Sequence, residues 1–389
     1  MSIDALSAEL SPSPIAVSDA ELDDLRDRLR RTRWPERETV DDWSQGVPLA
    51  YVRELCGTWL DDYDWRRVEA ELNGFQQLRF AGTGAGGEAL GIQVLFAPSS
   101  EPDAIPVVLT HGWPGSVVEF LDVVEPLRDP AAHGGDAADA FHVVCPTLPG
   151  YGFSDKPTHP GCGVEHIADI WARLMTALGY DRFGAQGGDW GSAVTTCLGR
   201  QHPDRVIGIH LNMVSVGPGK DQGELTEAEQ ASMDSMAHYQ QWDAGYSTQQ
   251  ATRPQTVGYG LVDSPAAQAA WIVEKFWSWC DHGGHPEDVI SRQRLLDNVM
   301  HYWLPAAGAS SARLYWQSFR RLGRDAEVTV PMGGSIFPKE IFRASRRWAE
   351  RRFTDIRHWN ELPVGGHFAA FEQPATFVDE VRAAFRQMR

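Results

Sequence analysis

The sequence is short of cysteine, and its five cysteines include no CxxC pair. An odd number of scattered cysteines makes a poor disulfide framework and a poor zinc site. Free cysteines that serve neither purpose are typical of proteins from a reducing compartment. We therefore expect a cytoplasmic protein without disulfides or a zinc site.

Basic residues and long apolar runs are also scarce. Lysine and arginine number 35 against 53 for aspartate and glutamate, which gives a formal net charge of −18. Such a charge argues against nucleic acid or an anionic membrane surface as the main partner. No segment approaches the roughly 20 apolar residues of a membrane-spanning helix, and residues 1–5 lack the features of a signal peptide. We expect a soluble protein, and the sequence leaves its oligomeric state open, homo-oligomers included.

The spacing of apolar residues divides the chain into four segments. A helix opened by a capping box, Ser18 to Glu21, begins the first segment. Further on, short apolar runs alternate with helix-length stretches, which is typical of parallel strands in βαβ units, until a Trp-rich amphipathic stretch interrupts them. The predicted segments are a helical arm (1–87), the first part of an α/β core (88–216), a helical cap (217–324) and the second part of the core (325–389). The fold class is therefore α/β, with a mostly parallel, doubly wound sheet.

Several local predictions accompany this division. Residues 82–87 are rich in Gly but lack the Lys-Ser/Thr ending of a phosphate-binding loop, so we expect a turn between two strands. A last helix is predicted at about 374–387. The runs predicted as strands of the core lie at 90–96, 105–109, 141–145, 206–209 and 328–332.

Residues 187–191, Gly-Gly-Asp-Trp-Gly, fit the tight strand-to-helix turn that exposes a nucleophile between two glycines. Hydrolases of esters place Ser at the centre of this turn, whereas this chain has Asp189. A carboxylate can attack a saturated carbon and form an alkyl ester, which water then hydrolyses. That chemistry suits epoxides and alkyl halides, and it needs no metal or organic cofactor. Taken alone, the five residues also fit a Gly-rich turn with an ordinary capping Asp.

Residues 111–116, His-Gly-Trp-Pro-Gly-Ser, follow the predicted strand 105–109. In the fold that uses this turn, the corresponding loop donates one backbone N–H to the oxyanion, and the residue after the nucleophile donates the other. We assign these donors to Trp113 and Trp190. His111, Pro114 and Phe368 are predicted to contact the substrate. The alternative for the loop is a turn that contains a structural His.

His367 is the predicted base that activates the hydrolytic water, because it follows two glycines and comes last in the chain order nucleophile, acid, base. That role requires a neutral imidazole near pH 7. Glu340 is the favoured acid, since it follows the predicted strand 328–332 at the edge of the sheet where ligands gather. Glu350 lies in an Arg-rich stretch and reads as a solvated ion-pairing group. Position alone leaves the other carboxylates after the cap open: Asp325, Glu327, Asp355 and Glu361.

With these residues assembled, the chain resembles the microsomal-type epoxide hydrolases of the α/β-hydrolase superfamily along nearly its whole length. The segments that carry the resemblance are Thr-Arg-Trp-Pro at 32–35, Tyr-Asp-Trp-Arg at 63–66, His-Gly-Trp-Pro-Gly-Ser at 111–116, Gly-Tyr-Gly-Phe-Ser at 150–154, Gly-Gly-Asp-Trp-Gly at 187–191 and Gly-Gly-His-Phe-Ala-Ala-Phe at 365–371.

The resemblance implies that the chain converts an epoxide to a vicinal diol through an ester on Asp189. It places the base on His367, the charge-relay acid on Glu340, and two phenols that protonate the epoxide oxygen on Tyr246 and Tyr315. The membrane anchor of the mammalian members is absent, so the chain is similar to a soluble bacterial-type member. Some bacterial members act in secondary metabolism, including enediyne biosynthesis, and these residues do not decide whether this chain does.

Two alternatives remain beside this interpretation. A haloalkane dehalogenase shares the Asp nucleophile, and Trp190 could hold the halide, but a halide leaves without a proton and does not require Tyr246 and Tyr315. A non-catalytic ligand receptor on the same fold would tend to lose one member of the triad, whereas every position is filled here. The Trp-rich cap suggests a bulky or aromatic small-molecule substrate, although aromatic residues also serve as core.

Overall fold

A nine-stranded sheet runs through the middle of the protein in a computed structural model, which describes residues 7–220, 223–321 and 326–389. The strand order is β1-β2-β3-β5-β4-β6-β7-β8-β9. The strands are β1 Leu10–Pro12, β2 Gln76–Thr83, β3 Ala89–Ala97, β4 Ile105–Thr110, β5 Phe141–Pro146, β6 Phe183–Gly187, β7 Val206–Leu211, β8 Met332–Ile336 and β9 Ile356–Glu361. The predicted boundary at 324/325, the candidate acid Asp325 and residues 1–5 lie outside the described residues.

The sheet is mostly parallel, as predicted. All pairings from β5 to β9 are parallel, and the pairings that join β1, β2, β3 and β5 are antiparallel. Helices cover both faces and form the cap and the arm. They are α1 Asp19–Arg30, α2 Leu49–Asp61, α3 Trp65–Asn73, α4 Leu121–Arg128, α5 Val164–Ala177, α6 Asp189–Gln201, α7 Glu227–His238, α8 Gly245–Thr252, α9 Pro254–Asp263, α10 Pro265–Trp279, α11 Arg292–Trp303, α12 Gly308–Ser318, α13 Arg346–Ala349, α14 Ala369–Glu372 and α15 Pro374–Arg386.

Most predicted elements are confirmed, including four of the strands and the last helix, but the strand expected at 328–332 is wrong. The strand β8 spans Met332–Ile336, and Val328 makes only an isolated bridge to Phe353. Two glycines inside β8 explain the error, because glycine weakens the sequence signal of a strand. Here the glycines are needed for packing: a Cβ at Gly333 would lie 2.8 Å from the Ala384 Cβ, and one at Gly334 would lie 2.8 Å from the Trp359 ring.

The N-terminal arm is not purely helical, which corrects the predicted segment 1–87. Its strands β1 and β2 belong to the central sheet, and β2 pairs along its whole length with β3. The boundary at 87/88 therefore cuts a hairpin whose Gly-rich turn was predicted correctly. Helix α1 starts with the expected capping box and buries Leu22, Leu25 and Leu29.

The helices α7 to α12, with a π-helical segment at Tyr239–Asp243, form the cap and are joined to the arm by a buried carboxylate. Asp297 of α11 accepts hydrogen bonds from the Tyr63 hydroxyl at 2.8 Å and from the Arg67 guanidinium at 2.6 Å. Its side chain is fully buried. Within the described residues, no helix has the length and apolar character needed to cross a bilayer.

Replacing this carboxylate should destabilise the protein. Asp297→Ala leaves the buried Tyr63 hydroxyl and the Arg67 cation without their acceptor, and we expect the free energy of unfolding to fall by about 1–3 kcal/mol. Urea denaturation measures the change. The matched control is Asp263→Ala, which removes an exposed partner of Arg28 and should change stability by no more than about 0.5 kcal/mol. Equal effects of the two substitutions would contradict a special role for the buried carboxylate.

Candidate active site

Asp189 lies at the tight turn between β6 and α6, with a positive φ of 47°. This backbone conformation is costly for a residue with a side chain, and it turns the carboxylate outward at the carboxyl end of the sheet. The two flanking residues must be glycines, because a side chain at either position would clash with the backbone. A Cβ on Gly187 would overlap the carbonyl of Gly191, and a Cβ on Gly191 would overlap the carbonyl of Thr110. The predicted nucleophile turn is thus present in full.

The loop after β4 lies directly against this carboxylate. The Trp113 backbone N–H donates a hydrogen bond of 2.7 Å to Asp189 Oδ1. Gly112 makes this approach possible, because a Cβ there would overlap the same oxygen. Trp190, the second predicted donor, is the second residue of α6, where helical N–H groups have no partner inside the helix.

Hydrogen bonds from the loop and the cap hold residues 111–116 in place. His111 is buried, which lowers its pKa to about 4, and its Nε2 accepts the Leu148 N–H at 3.2 Å. The Pro114 carbonyl accepts from the Asn298 amide at 2.7 Å. His111 does not line the large cavity described below, and Pro114 lines neither of the two cavities at the site. The structure therefore offers no support for the predicted substrate contacts of these two residues, and it gives them a role in shaping the loop.

His367 stands between two carboxylates. Its Nδ1 lies 2.6 Å from Glu340 Oε1, and its Nε2 lies 3.5 Å from Asp189 Oδ2. Burial by itself would lower the pKa of His367, but the charges and hydrogen bonds of Glu340 and Asp189 outweigh burial and raise that pKa well above its ordinary value. In the resting site the two carboxylates therefore favour the protonated imidazole, whereas the predicted role as a base requires the neutral form.

Glu340 is the carboxylate that the structure brings to His367. Its Oε1 also accepts the Ile341 N–H at 2.7 Å, and burial raises its pKa, against the opposing effect of His367. Glu350, by contrast, pairs with Arg346 at 3.2 Å on the surface, as predicted. An acid on Nδ1 leaves Nε2 directed at Asp189 and fixes the orientation of the ring.

The loop that carries His367 is fastened to the end of cap helix α10, which the sequence did not reveal. The His367 N–H donates to the Trp279 carbonyl at 3.0 Å. Glu372 accepts from the N–H groups of Phe368 at 3.0 Å and Asp281 at 2.7 Å, so one side chain joins core and cap. The sequence does not single out Glu372, which lies on a short helix five residues after His367. Its role is visible only when the His367 loop and the end of α10 are seen side by side in the structure.

Tyr246 of α8 and Tyr315 of α12 project from the cap toward the same carboxylate. Their ring centroids lie 5.8 Å apart. Trp113 stacks on Tyr246 at 4.7 Å, and Trp190 packs edge-on against Tyr315 at 4.7 Å. Burial raises the pKa of both phenols well above its usual value, and the negative charge of Asp189 acts in the same direction. Both hydroxyls are therefore neutral and able to donate a proton.

A third tyrosine belongs to this group and was missed. The hydroxyl of Tyr239, in the π-helical segment, lies 3.0 Å from the hydroxyl of Tyr246. Beneath Tyr246, the buried Lys275 ammonium lies 4.8 Å from the ring centroid and 2.6 Å from Asp243 Oδ1. No signal in the sequence indicated Tyr239, because the chain passes from a π-helical segment into a separate helix between Tyr239 and Tyr246.

Two cavities meet at Asp189, which is the only described residue that lines both. The large cavity, of about 720 Å³, lies under the cap and includes Trp190, Tyr239, Tyr246 and Tyr315 in its walls. The small cavity, of about 20 Å³, lies on the core side and has His367 and Phe368 in its wall. Phe368 does not line the large cavity, so its predicted contact with the substrate is not supported either. Among the described residues, no cluster of His, Cys, Asp or Glu is suited to hold a metal ion.

Comparison with known proteins places this geometry in a family. A family model described as the epoxide hydrolase N terminus matches residues 10–120, and one described as the alpha/beta hydrolase fold matches residues 105–253. A Stigmatella aurantiaca protein named "Putative epoxide hydrolase" is 51% identical over 98% of this chain and 86% of its own length. Epoxide hydrolase 1 of Oryctolagus cuniculus is 31% identical over 96% of this chain and 88% of its own length.

Solved structures agree with the sequence relatives. The structure of Aspergillus niger epoxide hydrolase matches with a TM-score of 0.87 and 30% identity, covering 99% of this chain and 98% of that one. Juvenile hormone epoxide hydrolase from the silkworm Bombyx mori matches with a TM-score of 0.89 and 26% identity, covering 100% of this chain and 96% of that one. These matches show that the chain belongs to the epoxide hydrolase family and is an enzyme with the α/β-hydrolase fold.

Proposed function

We propose that this enzyme opens a bulky, largely apolar epoxide in two steps through an ester on Asp189. In the first step, Asp189 Oδ2 attacks an epoxide carbon held in the large cavity, and the carbon–oxygen bond of the ring breaks. Tyr246 and Tyr315 bind the epoxide oxygen, and one of them gives it a proton. The arrangement that carries this proposal is a carboxylate held by Trp113 on one oxygen while its other oxygen faces His367.

Phenols are suitable acids for this step. The alkoxide that forms stays attached to the enzyme-bound product and needs a proton from a nearby group. Burial keeps the hydroxyls of Tyr246 and Tyr315 protonated across the physiological pH range. A leaving halide needs no proton, so paired phenols favour epoxide opening over haloalkane dehalogenation.

The second step depends on a change of charge. Esterification neutralises Asp189, so one of the two carboxylates that raise the pKa of His367 loses its charge. The imidazole then gives up its proton, which the phenolate left by the first step accepts, and becomes the base that takes a proton from water. The water oxygen attacks Asp189 Cγ, and the backbone N–H groups of Trp113 and Trp190 bind the oxyanion.

The size of the large cavity supports a bulky substrate. Its volume of about 720 Å³ is within the range of pockets that enclose drug-sized molecules. The rings of Trp190, Tyr239, Tyr246 and Tyr315 form part of its wall, and the apolar residues Met213, Met236, Phe342 and Phe353 also line it. A large apolar group on the epoxide would bury its surface there.

Trapping the ester tests the proposal. We expect His367→Gln to form the ester at a rate close to that of the natural enzyme but to hydrolyse it at least about 100-fold more slowly, because the base is missing. With styrene oxide as the probe, intact-protein mass spectrometry should show an increase equal to the mass of the epoxide. Asp189→Ala is the matched control and should give no adduct and no diol. Diol formation by Asp189→Ala at a near-normal rate would refute the proposed nucleophile.

Removing the phenols tests the proton donors. We expect Tyr246→Phe and Tyr315→Phe each to slow ester formation by roughly 10-fold, because one donor remains in each variant. The double variant should lose about 10²–10⁴-fold, the usual contribution of general acid catalysis. Stopped-flow tryptophan fluorescence measures the first step, since Trp113 and Trp190 contact these rings. Tyr259→Phe, on an exposed side chain, is the control. A double variant as fast as its control would rule out both residues as acids.

A further inference from the structure

Glu119 is an acidic residue in the catalytic region that the steps above do not use. It lies in the short 3-10 helix Val117–Phe120, which follows the loop that donates the Trp113 N–H to Asp189. Its carboxylate occupies the space above Gly115, where a Cβ would overlap Glu119 Oε1. The absence of a side chain at Gly115 therefore leaves the room that the Glu119 carboxylate occupies.

The small cavity gives that carboxylate a place to act. Its volume of about 20 Å³ is enough for a single water molecule, which needs about 10–15 Å³ by the same measure. Glu119, His367 and Asp189 all contribute to its wall. The Glu119 side chain is half-buried and belongs to the lining of this cavity. A possible acceptor, the base and the residue that carries the ester thus line one water-sized space.

The position of this cavity matches what hydrolysis requires. The substrate's part of the ester would fill the large cavity, and Asp189 is the only described residue that lines both spaces. Water that reaches Asp189 Cγ from the small cavity does not have to displace the substrate. Water in the large cavity would compete with the apolar group for the same volume.

Burial and two neighbouring charges set the protonation of Glu119. Burial raises the pKa of Glu119 to about 8, against the effect of His367, which lowers it, and with a smaller contribution from Asp189, which raises it. Tyr302 and Cys280 also lie within the electrostatic reach of Glu119. Esterification removes the charge of Asp189, and deprotonation of His367 removes the larger, opposing charge, so the two changes act on the pKa of Glu119 in opposite directions. A carboxyl oxygen of Glu119 can accept a hydrogen bond from water in either protonation state.

We propose that Glu119 binds the hydrolytic water in the small cavity and orients it for attack on the ester, an inference that rests on the proposed two-step mechanism. The water gives one proton to His367 Nε2 and donates its second in a hydrogen bond to Glu119. Its oxygen bonds to Asp189 Cγ, and the bond from Cγ to the substrate oxygen then breaks. His367 returns its proton to that oxygen, which releases the diol and leaves the water's second proton on the Asp189 carboxyl group. Transfer of that proton to His367 restores the Asp189 carboxylate and the protonated imidazole.

Single-turnover kinetics of Glu119→Gln and Glu119→Ala, again with styrene oxide, test this inference. We expect ester formation to stay within about threefold of the natural rate and ester hydrolysis to fall by about 10–100-fold, with Gln less affected than Ala. The ester should then accumulate in the steady state, so that kcat and KM fall together. Glu125→Gln, an exposed carboxylate on α4, is the control and should change neither step.

The outcomes separate the possible roles. Unchanged ester hydrolysis in both Glu119 variants would overturn the inference, and so would an equal slowing of both steps, which indicates general distortion of the site. Circular dichroism identifies a variant that fails to fold, and the nearly isosteric Gln variant then decides the question. The His367→Gln variant separates failure of the Glu119 role from failure of the two-step mechanism. If that variant forms no ester, the two-step mechanism itself fails.

Discussion

The hydrogen bond from the Trp113 N–H to Asp189 is the interaction on which the rest of the site depends. It holds the carboxylate at the point where one cavity admits a substrate and the other has room for water. The contact exists because the chain can approach itself closely at Gly112, Gly187 and Gly191. The positive φ of Asp189 is maintained by the sheet on one side and α6 on the other, and the cost of that strain is met by the surrounding fold.

The charges of the site couple the proposed covalent step to the imidazole. In the resting state, the charges of Glu340 and Asp189 favour the protonated form of His367. Loss of the Asp189 charge on esterification would remove one of these two contributions and lower the pKa of His367. The base would therefore be generated only after the nucleophile has reacted. The low dielectric of the enclosed site strengthens this coupling, because charges interact more strongly when water is excluded.

The cap does more than cover the substrate, since it supplies structural support for groups on the core. Glu372 connects the His367 loop to the end of α10, and Asn298 and Tyr302 of α11 donate hydrogen bonds to the loop of Trp113. The cap is in turn joined to the N-terminal arm through Asp297. The arm therefore supports the catalytic geometry indirectly, through the position of the cap.

Short motifs with strict backbone requirements were predictable from the sequence. The turn at Asp189 and the loop at Trp113 need glycine at fixed places, so the spacing of those glycines was enough to indicate the geometry. Tertiary packing decided what was missed. The strand β8 was missed because its two glycines weaken the sequence signal, and the structure shows that neighbouring side chains fill the space above them. The strands β1 and β2 join the sheet although the pattern of their segment indicates helices. Glu119 and Tyr239 carry no motif, and only the cavities show what they face.

One labelling experiment tests the covalent mechanism most directly. A single turnover in ¹⁸O-water, with enzyme in excess over styrene oxide, should be followed by proteolysis and mass spectrometry of the peptide that contains Asp189. Attack of water on Cγ leaves the new oxygen in the carboxylate, so we predict label in Asp189 and none in the first diol released. Label in the diol with an unlabelled Asp189 would mean that water attacks the epoxide directly, which contradicts the account.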